Sequence, residues 1–184
     1  MAKRALSLFL TLLLILSLAG CTKSEDEQKQ IMKATIAHIH EIHYNMLDNV
    51  NMMFRVYDTK DKNPKALSDM GYVKTSFKNY KNQIDSIKID DGLSEPRKET
   101  LKRVKGNYST CLENLIIVSG GLQEFIKNGA PDEPSNKLRD ATFTVDEKLK
   151  TIFATIKPLG EEYGVKITSP ELYNPKNTVF NNKK

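Results

Sequence analysis

All three histidines of the 184-residue chain fall within six positions: His38, His40 and His43, with Glu41 among them. Imidazoles and carboxylates gathered this closely are ligand types for zinc and other divalent metals. Helical spacing limits what they can share. At about 100° per residue, His38 and His40 diverge by roughly 160° and cannot reach one ion. His40 and His43, three apart, can meet. They are the metal candidates, and a complete site needs carboxylates from other helices, as in di-metal bundles built on Glu-x-x-His. No Glu-x-x-His occurs in the chain. His40-Glu41-Ile42-His43 also misses the zinc-protease pattern, which sets its histidines four apart on one face with a Glu between them as base.

The remaining chemistry is sparse. There are two cysteines, Cys21 and Cys111. Cys111 falls on an apolar stripe and reads as a small buried thiol. Neither C-x-x-C nor C-x-x-C-H occurs, so a redox dithiol and c-type haem attachment have no support. G-x-S-x-G, P-loop and dinucleotide fingerprints are absent. Asp90-Asp91 and Asp132-Glu133 stand beside Gly or Pro and read as turn chemistry. No catalytic residue and no cofactor are assigned. Met52 lies off its helix stripe and is expected to be exposed.

The elements that must position these residues are helices. Four segments place apolar residues at steps of three and four, the mark of an amphipathic helix. The first spans about 25–57, with the stripe Met32, Ile36, Ile39, His43, Met46, Val50, Met53 and Tyr57. Ser24 with Glu27 forms a capping box at its start. The second spans about 64–88, and Asp90-Asp91-Gly92 closes it. The third opens at Ser94-Glu95-Pro96 and ends at Asn128-Gly129. Its stripe runs Leu101, Val104, Tyr108, Cys111, Leu115, Val118, Leu122 and Phe125. Gly120-Gly121 lies inside it and implies a kink or a close neighbour. The fourth opens at Pro134-Ser135, and Pro158 predicts a kink or a stop near Lys157, with Glu161 and Glu162 able to continue one more turn to Gly164. Short connections make consecutive helices antiparallel, so the fold class is all-α, an up-down four-helix bundle over 25–164. Residues 165–184 lose the helical period and read as an extended tail, loosely docked or disordered, apart from the brief strand-like Val165-Lys166-Ile167-Thr168.

The N-terminus carries the remaining signal. Lys3 and Arg4 precede a mostly apolar run from Ala5 to Gly20, and Leu18-Ala19-Gly20-Cys21 follow. The run is short for a membrane span, which needs about 20 apolar residues. Together they resemble a bacterial lipoprotein signal peptide with its lipobox. The resemblance implies cleavage after residue 20, a lipid on Cys21, a short stalk over 21–24, and attachment to a cell membrane or outer membrane on the extracytoplasmic side. His38 and Glu41 are also similar to the H-x-x-E element of imelysin-like iron-regulated surface proteins. Ile36 stands where that family has glycine, and the match covers six residues.

The formal charge of +5, lowered by two when Lys3 and Arg4 leave with the leader, is mixed in sign along the chain. It is too mild to point to nucleic acid. The expectation is a non-enzymatic binding, scaffolding or accessory protein of the cell envelope. Its partners are the membrane, through the lipid, and an envelope protein. The alternative is a metal- or cofactor-binding bundle using His40 and His43.

Overall fold

The computed structural model describes residues 22–58, 64–128 and 135–172. The leader with its lipobox, the connections 59–63 and 129–134, and the tail beyond 172 lie outside these residues. Four helices follow in order: α1 (Glu25–Asp58), α2 (Pro64–Ser86), α3 (Glu95–Asn128) and α4 (Asn136–Tyr163). Each packs on the next and α4 returns to α1, so the four close into a bundle, with no strand among the described residues. Contacts fix the antiparallel sense. Lys105 near the start of α3 reaches the carbonyl of Ile87 just past α2, while Gly121 near its end lies against Leu138 at the start of α4.

Local chemistry explains most helix ends. At the start of α1 the capping box is reciprocal. The Ser24 hydroxyl accepts from Glu27 N–H at 3.4 Å, and Glu27 Oε2 accepts from Ser24 N–H at 2.9 Å. Ser135 caps α4 through Leu138 N–H. Gly164, at φ 67°, ends α4, with Val165 N–H donating to the Gly160 carbonyl at 2.8 Å and Gly164 N–H to the Glu161 carbonyl at 3.4 Å. That pair of bonds is a Schellman motif, and it needs the left-handed backbone that glycine adopts freely.

The apolar stripes meet in one core, in which Met32, Ile36, Ile39, Met46, Phe77, Leu115 and Leu122 are fully buried. The structure excludes a stop at Pro158, corrects Met52 and bears out the close neighbours expected at Gly120-Gly121. Pro158 neither stops α4 nor shortens it, because the helix runs on to Tyr163. Pro158 and Ala154 are both exposed, so water can serve the carbonyl that the proline leaves without a donor, while Leu159 and Gly160 beyond it are buried. Met52 is not an exposed side chain but packs, partly buried, against the core. Gly120-Gly121 leaves α3 continuous. The glycines admit close neighbours, since a Cβ at Gly121 would meet Leu138 Cδ1 at 2.8 Å and one at Gly120 would meet Lys74 Nζ at 3.2 Å.

Candidate functional site

The histidine segment of α1 is where the fold brings distant polar residues together. His43 lies on the core stripe and is fully buried. Its Nδ1 is 2.9 Å from the Tyr108 hydroxyl of α3, and its Nε2 is 2.9 Å from the Ser169 hydroxyl beyond α4. Tyr108 and Phe153 set their rings edge-on to it, with centroids 5.8 and 5.5 Å away. Burial, with a smaller contribution from His40, pushes the His43 imidazole down to about 4, so it is neutral near pH 7.

The hydrogen bonds fix its tautomer. Burial raises Tyr108 well above the ordinary phenol value, so it keeps its proton. Among the described residues His43 is the only partner of that hydroxyl. Tyr108 therefore donates to Nδ1, and Nε2–H donates to Ser169 Oγ. Ser169, His43 and Tyr108 stand in the order of a nucleophile, a base and its orienting group. The proton is on the wrong nitrogen for that role. A base must accept from the serine, and here it donates. The arrangement fastens Ser169 rather than activating it.

His40, one turn earlier, fastens the preceding residue. Thr168 N–H donates to His40 Nε2 at 2.9 Å, with the Thr168 hydroxyl 3.1 Å and its carbonyl 3.0 Å from the same nitrogen. A neutral ring accepts from the amide and a charged ring donates to the carbonyl, so Thr168 offers a partner in either state. Asn51 donates to the Glu171 carbonyl at 2.8 Å, further along α1. Ile167 seats over Gly160, where a Cβ would meet Ile167 Cγ1 at 2.4 Å. Residues 165–172 thus form a strap along α1, the docked form of the extended tail. Residues 173–184 lie outside the described part.

Of the sequence candidates, the structure brings His40 and His43 to one strap and leaves His38 exposed. Both ring nitrogens of His43 already have partners, so a metal would have to displace Tyr108 or Ser169. Among the described residues no group of three or more His, Cys, Asp or Glu side chains could hold a metal ion. Cys111 is fully buried, and its thiol is pushed up to about 12 by desolvation. Cys21 lies outside the described residues.

The sequence reasoning missed Tyr108, Thr168, Ser169 and Asn51 as partners of the histidines. One signal was present: a histidine on a core stripe must find hydrogen-bond partners, and the apolar Val165 and Ile167 alternate with polar residues as a half-buried extended segment does.

A second polar cluster was also unforeseen, at the end of the bundle where α1 begins. Within the expected stalk, Lys23 is docked. Lys23 N–H donates to the Gly92 carbonyl at 2.9 Å, its Nζ lies 2.7 Å from Asp90 Oδ2, and its carbonyl accepts from Gln28 Nε2 at 2.8 Å. Gln28 Oε1 accepts in turn from Ser94 N–H and from Arg97, both across from α1. Arg97 also pairs with Glu25 and donates to the Tyr163 hydroxyl, which ties α1, α3 and α4 at one end. The hydrogen bond from Arg97 holds the Glu25 carboxyl below its usual range.

No helix among the described residues is long and apolar enough to cross a membrane. No family model, no curated protein and no solved structure matches the chain.

Proposed function

We propose that the protein is a lipid-anchored, extracytoplasmic helical bundle with a non-enzymatic binding, scaffolding or accessory role in the cell envelope. The observation that carries this reading is the run Leu18-Ala19-Gly20-Cys21 behind a basic and apolar leader. Two acyl chains or more on such a cysteine give stable attachment, where one gives only marginal binding. The bundle begins directly after that cysteine, which suits a domain presented on a bilayer. Its partner there is an envelope protein.

The structure of the histidine segment favours a holding role over chemistry. Its one serine–histidine pair has the donor and acceptor reversed for nucleophilic attack. The competing reading, a metal- or cofactor-binding bundle on His40 and His43, finds no third ligand beside those rings among the described residues.

Growth of the producing cells with labelled fatty acid tests the anchor. The wild-type chain is expected to take up label and to sediment with membranes. Cys21→Ala is expected to take up none. Label retained in Cys21→Ala would sink the proposal. In-cell cross-linking of the wild-type chain then identifies the partner.

A further inference from the structure

The docking of Lys23 has a consequence for how the molecule meets a membrane. Cys21 is two residues ahead of Lys23, and an extended chain spans at most about 7 Å over that distance. Lys23 is held by its amide, its carbonyl and its ammonium group, to Gly92, Gln28 and Asp90. Gly92 leaves the room for this contact, since a Cβ there would meet Lys23 Cγ at 2.6 Å. The capping box at Ser24 and Glu27 starts α1 immediately afterwards. No free linker separates Lys23 from the bundle.

We propose that the turn between α2 and α3, residues 87–94, is the bilayer-facing surface of this protein, set against the lipid headgroups by Lys23. The proposal rests on the lipid at Cys21 argued above, and it adds which face of the bundle that lipid draws to the membrane. The partner is the headgroup layer itself. The turn carries Lys88 against Asp90 and Asp91, a mixed surface with no basic cluster to hold an anionic bilayer alone. Affinity therefore comes from the acyl chains, and orientation comes from the dock. The opposite end, where α3 finishes at Asn128, is about 50 Å away along a 34-residue helix.

Energy transfer on vesicles tests this. The full lipidated chain is reconstituted in phosphatidylethanolamine–phosphatidylglycerol vesicles that carry a headgroup acceptor dye. A donor dye is attached at Lys88→Cys or, separately, at Lys127→Cys, two exposed positions at opposite ends of the bundle. Transfer is expected to be several-fold higher from Lys88→Cys. Lys23→Pro removes both the amide donor and the ammonium group, and it is expected to shrink that difference. Equal transfer from the two positions would overturn the proposal, as would a difference untouched by Lys23→Pro. Both outcomes leave the anchor itself standing. Absence of fatty acid on the wild-type chain would instead overturn the anchor, and this surface with it.

Discussion

Protonating His43 would place a second donor against the Tyr108 hydroxyl, which has no other partner among the described residues. The neutral ring suits that site, and its two nitrogens join α3 to the strap. Cys111 sits close by on α3, and its burial has a chemical consequence. With its thiol pushed up to about 12, the native protein holds only about one part in ten thousand as thiolate at pH 8. A thiol reagent is therefore expected to label Cys111 about a thousand-fold more slowly in native than in denatured protein. Labelling of native protein at the denatured rate would show that the site is open. The burial of Cys111 and of His43 was legible from their places on the apolar stripes. Ser169 and Thr168 were not, because 126 and 128 residues separate them from the histidines they bond.

Adjacent glycines in α3 give a comparison within one element. Both lie inside a continuous helix, where alanine is favoured by about 1 kcal/mol over glycine. A methyl at Gly120 meets only the end of the flexible Lys74 side chain. A methyl at Gly121 meets both methyls of Leu138, a buried residue. Gly120→Ala is expected to stabilise by up to about 1 kcal/mol. Gly121→Ala is expected to destabilise by about 1–2 kcal/mol, once overpacking offsets the helical gain. Denaturant midpoints of the two variants check this, and equal shifts would mean that Leu138 moves aside freely. The capping box of α1 and the glycine end of α4 are written in consecutive residues and could be read directly. The run of α4 through Pro158 was legible only as one alternative, because the burial of Leu159 and the seating of Ile167 on Gly160 are tertiary.

At the scale of the molecule, His43 makes stability depend on pH. Its folded value, about 4, lies below the 6.5 of an unperturbed histidine. Between these values the unfolded chain binds a proton that the native protein refuses. Stability from this group is thus complete above about pH 6.5, falls as pH drops, and levels off below about 4. The full loss is about 3 kcal/mol. His43→Gln removes the titration, so the difference in unfolding free energy between wild type and variant is expected to shrink by that amount between pH 7 and pH 4. Parallel curves would falsify the buried neutral ring. Carboxylates such as Glu25, held low by Arg97, act in both proteins and cancel in the comparison.

The sequence by itself determined four amphipathic helices, their caps and their antiparallel order, because the period of three to four residues and the capping chemistry are local properties of neighbouring residues. It also determined which faces are apolar, and so that His43 and Cys111 are buried. The tertiary structure alone decided what those faces meet. Tyr108 reaches His43, Gly92 receives Lys23 and Ser169 closes over α1 only after the helices have packed. Each of these contacts spans more than 60 residues, and no periodicity within a single segment encodes a register between segments.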